Sequence, residues 1–287
     1  MKNKTKMLAI VVVYNPNIYE LVDNINQYLD SVDELIIWLN SELDVKQKKY
    51  IYNNLINEHF FFAGKSTNDG ISIALNFAAD YAIKNDFYFL LTMDQDSYWE
   101  NFSLYRSYIE QENHLKTNVG IWGPCVVDKT TGLTNREEYP DHVITSGAVY
   151  KVKDLKRIGK FNENYFVDAI DEEICFRASM YGISTKRICD VNLFQKFGES
   201  KKVKFLGKTT TTPNYSAFRY YYIVRNHIWL IKNKYVSKNI KNRMLKSYVI
   251  NPLIKVLIFE DGKCIKIKRI FKGIIDGLRR EEKICVK

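Results

Sequence analysis

The hydrophobic pattern of the first hundred residues alternates between two periods. "MLAIVVVY" (7–14) is an unbroken apolar, largely β-branched run, the pattern of a strand buried on both faces. Helical spacing follows from about Ile18 to Tyr28, then "ELIIWL" (34–39) as a second strand. A polar helix from about Val45 to Ile56 leads to "HFFFA" (59–63), a third strand. Gly70–Ile83 places Ile71, Ala74, Leu75, Ala78 and Ala82 at helical spacing, and "FYFLLTM" (87–93) closes the series. This order predicts a parallel, right-handed, doubly wound sheet. Such sheets bind ligands beyond the carboxyl ends of their strands. Tyr14-Asn15, Asn40-Ser41 and Asp94-Gln95-Asp96 all fall at such ends.

After Trp99 the order changes. "VGIWGP" (119–124), "VITSGAVYKV" (143–152) and "ISTKRI" (183–188) read as strands, and the acidic "DAIDEEICFRASM" (168–180) reads as a helix. "TTTT" (209–212) reads as a loop. From Pro213 onward the pattern is helical and basic, with a break expected at Asn251-Pro252. The division that results is a domain over 1–212, with halves of about 1–98 and 99–212, and a helical region over 213–287.

Composition adds little to that picture, but charge changes it. A chain of 287 residues, 46% hydrophobic and 26% charged, has the make-up of an ordinary globular protein with a sizeable core. Residues 199–287 hold 22 of the 43 Lys and Arg but only 6 of the 33 Asp and Glu. Their net charge is +16, against −6 for residues 1–198. An acidic body with a basic tail predicts an anionic partner for the tail, against the plainer reading of a solvated helical face. Cys125, Cys175, Cys189, Cys264 and Cys285 are scattered and form no C-x-x-C, which points to a reducing compartment and away from structural zinc. Residues 1–6 are polar and run straight into a strand, so no leader is read there. No apolar run approaches the roughly 18–20 residues of a bilayer span. The expected location is cytosolic.

Three clusters carry candidate chemistry. Asp94 and Asp96 are carboxylates at alternate positions after a buried strand, suited to a hard divalent cation such as Mg²⁺ or Mn²⁺ that would bridge a diphosphate. Turn chemistry at a strand end is the competing explanation. In "YFVDAIDEEICFRA", Asp168, Asp171, Glu172 and Glu173 open a predicted helix. Its dipole accounts for one or two of them, and a general base for another. In "NDGISIALN" (68–76), Asn68 is placed to cap the helix and Gly70 permits close approach of another group; the competing plain reading is an N-capped helix with Asn76 on its surface. His59, His114, His142 and His227 form no ligand spacing and read as structural.

These segments together resemble the family 2 glycosyltransferases, and within them the bacterial rhamnosyltransferase-like group. "AIVVVYNPN", "NDGISIALNFAADYA" and "LLTMDQDS" resemble that family's first strand, its N-x-G-I-x-x-A-L-N segment and its D-x-D strand end. "ITSGAVYKVKDLKRIGKFNENYFVDAIDEEICFRA" resembles its acceptor-side block, which includes Ser146 and Gly147, and "RYYYIVRN" (219–226) the arm that follows, with Arg225. The resemblance covers roughly residues 7–230. It implies an A-type glycosyltransferase fold and transfer with inversion at the sugar carbon. Asp94 and Asp96 would hold the metal against a nucleotide-sugar diphosphate. Asp171 matches the catalytic base. Asp168, Glu173 and Arg177 match acceptor-side or supporting positions, and Tyr14, Asn15, Asn40, Asn68 and Gly70 the donor pocket.

Two positions depart from the family pattern. Leu39 stands in "WLNS" where relatives often carry the Asp that contacts a pyrimidine, and Gln195 opens "QKFG" where they carry H-x-x-G. The implied reaction moves a sugar, L-rhamnose from dTDP-L-rhamnose as first choice, onto a growing bacterial surface polysaccharide. UDP-galactose or UDP-glucose is the alternative donor. The acceptor would be a lipid-linked oligosaccharide or glycan at the inner face of the membrane, with the tail on the anionic surface or in a homodimer. Nucleic-acid binding, suggested by the tail alone, leaves Asp94, Asp96 and the acidic body without a role.

Overall fold

The computed structural model describes residues 5–115, 117–134, 136–137, 140–205 and 208–279. The first half is the alternating series expected from the sequence. It runs β1 (Met7–Val13), α1 (Ile18–Leu29), β2 (Glu34–Leu39), α2 (Val45–Asn54), β3 (Phe60–Ala63), α3 (Ile71–Lys84) and β4 (Phe89–Asp94). Then come β5 (Tyr98–Trp99), α4 (Phe102–His114), β6 (Val119–Asp128), β7 (Ala148–Lys151), α5 (Val152–Ile158), α6 (Ile170–Met180) and β8 (Ser184–Gln195). The last part comprises β9 (Lys201–Phe205), β10 (Lys208–Thr212), α7 (Ala217–Lys232), α8 (Lys238–Met244), a π-helical turn (Leu245–Ile250), α9 (Asn251–Phe259) and α10 (Lys263–Arg279).

Eight strands form one sheet in the order β3-β2-β1-β4-β7-β6-β8-β5. β1 to β4 are mutually parallel, as the pattern predicts, and β6 and β8 are parallel to each other. β7, between β4 and β6, runs antiparallel to both, and the short β5 is antiparallel to β8. The sheet is therefore mostly parallel, with antiparallel β7 and β5 the exceptions. Its central strands β1, β2, β4 and β7 are buried on both faces, and alternate residues supply two cores. In β1, Leu8 and Ile10 point to the layer of α3, α5 and α6, while Met7, Ala9, Val11 and Val13 point to that of α1 and α4. At roughly 25 cal/mol per Å² of apolar surface, this two-sided burial dominates the stability.

Several expectations need correction. "TTTT" is not a loop: Thr209–Thr212 form most of β10, paired antiparallel with β9. Pro252 does not break the helix. It sits in the first turn of α9, where its missing N–H costs nothing, and the backbone stays helical from the π turn through Asn251. The helical run ends instead at Glu260, which is extended. Asn76 is buried: its side chain donates to Phe161 O and Glu163 and accepts from Phe161 N. Cys125 and Cys189 form a disulfide across β6 and β8, Cα atoms 4.7 Å apart. The reading of scattered cysteines does not anticipate this pairing, which depends on the irregular register beside Pro124 and Cys125. Cys175 is a buried thiol and Cys264 an exposed one; Cys285 and the rest of residues 280–287 of the basic tail lie outside the described residues.

Candidate active site

Beyond the carboxyl ends of β1, β2 and β4 lies a cavity of about 870 Å³. Its far wall is built by the 166–172 segment, α7, and the π turn with α9. Tyr14, Asn40, Asn68, Gly70, Asp94, Asp96, Asp168 and Asp171 all line it. The structure thus brings together residues up to 157 positions apart.

The D-x-D turn is held by its middle residue. Gln95 accepts from Tyr14 N (2.7 Å) through Oε1 and donates to Tyr14 O (3.0 Å) through Nε2, while its carbonyl accepts from Asn24. This ties β1's end to β4's end and leaves both flanking carboxylates to the cavity. Ser146 Oγ accepts from Asp94 N, and Gln195 Nε2 donates to Asp94 Oδ2 at 2.7 Å. Burial, reinforced by the charge of Asp96, pushes the Asp94 carboxyl up to about 7. Burial also raises Asp96, against the pull of a nearby Lys129 that donates to its carbonyl. Two hard oxygen donors that repel each other in a partly desolvated turn fit a divalent cation, which would relieve both costs. Among the described residues no cluster of three or more His, Cys, Asp or Glu is assembled for a metal, so phosphate and water would complete such a site.

On the opposite wall, Asp168 and Ala169 both adopt left-handed backbone (φ 62° and 64°) immediately before α6. Each such non-glycine residue costs on the order of 1 kcal/mol or more. Asn226 holds the turn by donating to Val167 O (2.7 Å) and Asp168 O (2.9 Å). The result points Asp171 into the cavity one turn later. Burial and the adjacent Glu172 charge push the Asp171 carboxyl up to about 6, against the acidifying influence of His142. Asp168 is paired with Arg219, whose Nη2 lies 3.0 Å from Oδ1. Arg219 also acts electrostatically on Asp94 and Asp96, so it is a cation on the D-x-D side of the cavity.

The other expected site residues play framework parts. Gly70 (φ 87°) is required by contact: a Cβ there would lie 2.8 Å from Phe166 O. Asn68 accepts from Gly70 N instead of capping α3 further along, and Asn40 bridges Trp38 Nε1 and Gly70 O. Asn15 donates its N–H to Ser41 and is not among the cavity-lining residues. Gly147 (φ 78°) donates to Thr92 O beneath the D-x-D. Glu173 and Arg177 form a buried ion pair away from the cavity, and Arg177 also binds the carbonyls of Ile158 and Lys160. Arg225, likewise outside the lining, donates to Asn226 Oδ1 and Asn164 O, so it braces the left-handed turn from behind.

Five participants escape a sequence reading. Gln195, visible there only as a departure, reaches Asp94. Arg219 stands in "RYYYIVRN", but nothing in its spacing marks it above Arg225. His142 lines the cavity and approaches Glu172 Oε1 at 3.3 Å, and His227 lies 2.6 Å from Glu172 Oε2. Because His227 Nδ1 faces the carbonyl of Ile223 at 2.6 Å, both ring nitrogens face acceptors, an arrangement that favours the protonated ring. Tyr248, delivered by the π turn, donates to Glu172 and stacks on His227 with centroids 3.6 Å apart. Leu39, where relatives often carry an acid, is packed in the core, so Asn40 is the β2 residue the cavity meets.

No family model matches the chain. It is 23% identical over 300 residues to the dTDP-rhamnosyl transferase RfbF of Shigella flexneri, with 96% of both chains covered. This likeness is to a family 2, rhamnosyltransferase-like glycosyltransferase. Solved structures share the chain's fold, that of the A-type glycosyltransferases. The mannosyltransferase PcManGT from Pyrobaculum calidifontis, in complex with GDP-Man and Mn²⁺, matches at TM-score 0.60 and 16% identity, covering 96% of this chain and 76% of that one. S. aureus TarS 1–349 in complex with UDP matches at TM-score 0.58 and 12% identity, covering 96% and 81%. Of a longer TarS chain this chain spans about half, 49%.

Proposed function

We propose that the enzyme transfers L-rhamnose from dTDP-L-rhamnose to an acceptor hydroxyl, with inversion and with help from Mg²⁺ or Mn²⁺. The observation that carries this reading is the joint presence, in one cavity, of the Asp94–Asp96 pair, the Arg219 cation and the Asp171 carboxylate. The relative's name supports the choice of donor, and the Mn²⁺ in the mannosyltransferase complex supports the metal. Tyr14, about half exposed at the cavity's edge, offers a ring to the nucleotide base. Asp94 and Asp96 would hold the cation, which would neutralise charge growing on the diphosphate. Arg219, fixed by Asp168, supplies a permanent positive charge on the same side. Asp171 accepts the acceptor hydroxyl proton as that oxygen bonds to the anomeric carbon. The bond from that carbon to the diphosphate breaks on the opposite face, and its electron pair leaves with the nucleotide. A carboxylate raised to about 6 is a stronger base than an ordinary aspartate yet still ionised at pH 7.

The setting we infer is the inner face of a bacterial plasma membrane, with a lipid-carried glycan of a surface polysaccharide as acceptor. In the described residues no helix is long and apolar enough to cross a membrane. The division into a catalytic domain over 1–212 and a helical region over 213–287 belongs to the same proposal. A nucleotide-release assay with a panel of dTDP, UDP and GDP sugars, with and without Mn²⁺, tests the reading. Release restricted to UDP-hexoses would replace rhamnose as the sugar, and no release from any of them would overturn the reading.

A further inference from the structure

The π turn and α9 present two faces to different surroundings. Ser247, Tyr248, Asn251 and Lys255 line the cavity. Ile250, Ile254, Leu257 and Ile258, spaced as one stripe of the same helix, are 45%, 45%, 50% and 43% exposed. α10 repeats the arrangement. Gly273 and Gly277 seat it against α7, where a Cβ would lie 2.7 Å from Tyr221 O and 2.9 Å from Ile228. Phe271, Ile275 and Leu278 are left exposed, beside Lys268, Lys272 and Arg279. An apolar stripe of this kind on a catalytic wall calls for a cover. A second copy of the chain would set one tail of net +16 against another, which disfavours a symmetric pairing through this face. An anionic bilayer meets both the apolar stripe and the cations.

Of the cavity's Lys and Arg, Arg219 is held by Asp168 and Lys196 by Glu199. Lys255 is the remaining one, and it stands on the inner face of the same helix whose outer face is apolar. We infer that α9 is the seam between an anionic membrane and the active-site cavity. Its outer stripe enters the lipid interface, and Lys255 receives a phosphate of an acceptor whose lipid stays in that membrane. This rests on the proposed function and assigns the residues, the α9 stripe and Lys255, through which its lipid-carried acceptor would be met.

Co-sedimentation of the full chain with three kinds of vesicle tests it: phosphatidylcholine alone, phosphatidylcholine with phosphatidylglycerol, and the latter doped with a polyprenyl diphosphate. The expected order of affinity is weakest for the neutral vesicles and strongest for the doped ones, with salt weakening both anionic cases. Ile254→Ser/Leu257→Ser should lose at least tenfold on both anionic vesicles while keeping the wild-type melting temperature, since both side chains are about half exposed. Lys255→Ala should bind phosphatidylglycerol vesicles like the wild type within about threefold, yet lose the increment given by the diphosphate lipid. The idea is overturned if the stripe variant binds as the wild type does. It is equally overturned if Lys255→Ala keeps the full increment, or if light scattering shows a dimer that the stripe variant dissolves. Donor binding by thermal shift without vesicles reports on the proposed function separately, so the two readings can fail independently.

Discussion

Asp171 and Glu172 are adjacent in the chain yet sit in opposite electrostatic conditions, and only the structure separates them. Asp171 is an acid whose burial outweighs the help of the Glu172 N–H and of His142: raised from 3.8 to about 6, it disfavours folding when ionised. The rise corresponds to no more than about 3 kcal/mol, less because the carboxylate reaches cavity water. Asp171→Asn is therefore expected to raise the melting temperature at pH 7–8 and to give no gain below about pH 4, where both forms are neutral. The same change should cost transfer about two to four orders of magnitude while nucleotide binding is kept. For the wild type, kcat/KM should fall as pH drops through about 6. Glu172 behaves in reverse. Its carboxyl is lowered from 4.5 to about 2, chiefly by His227 against the cost of burial, and His227 is raised above 6.5 by the same contact. A lowered acid stabilises above its unfolded value and loses that as pH falls; a raised histidine stabilises below 6.5 and loses that as pH rises through its folded value. The pair thus contributes most between about 4.5 and 6.5. Glu172→Gln should cost on the order of 3 kcal/mol there and less on either side, read from urea midpoints across pH. From sequence alone Glu172 is indistinguishable from a helix-dipole acid, because its partners stand at 142, 227 and 248.

At the scale of elements, periodicity was sufficient wherever an element's own pattern decided its fate. β1 to β4 and their helices emerge at nearly the expected bounds because burial on both faces leaves continuous apolar runs. It was insufficient where a partner decided. Thr209–Thr212 carry a strand-compatible composition but no apolar face, and only β9 makes them a strand. The left-handed Asp168–Ala169 turn is stabilised by Asn226, 58 residues later, which no local signal records. The packing of α10 depends on two glycines that a sequence reading treats as helix-weakening. Gly273→Val should drive its side chain into Tyr221 O and cost about 1–3 kcal/mol through overpacking. Faster limited proteolysis after Lys263 would register the loosening of α10. Unchanged proteolysis would mean that α7 and α10 separate readily to admit the side chain.

Across the whole molecule, the acidic body and basic tail converge on one cavity: Asp94, Asp96 and Asp171 come from the body, and Arg219 and Lys255 from the tail. The split in charge was legible in composition, and so were the strand ends. The meeting of the two halves was not, since it is set by α7 packing Trp229 and Leu230 into the core beside α3 and α6. An arrangement of this kind has a consequence for ligand-linked stability. On the proposed function, a nucleotide-sugar bound with a metal would neutralise the carboxylates that repel one another, so metal and donor should stabilise the fold together more than the sum of each alone. At about a hundredfold excess over Kd the linked gain is ~2.7 kcal/mol. For a chain of this size that corresponds to a melting shift of roughly 5–10 °C. The expected result is such a shift for dTDP-L-rhamnose with Mn²⁺, a small one in chelator, and none dependent on metal for Asp94→Asn/Asp96→Asn. A full shift in chelator would show that Arg219 and the backbone carry the diphosphate unaided, and the two aspartates would then need another explanation.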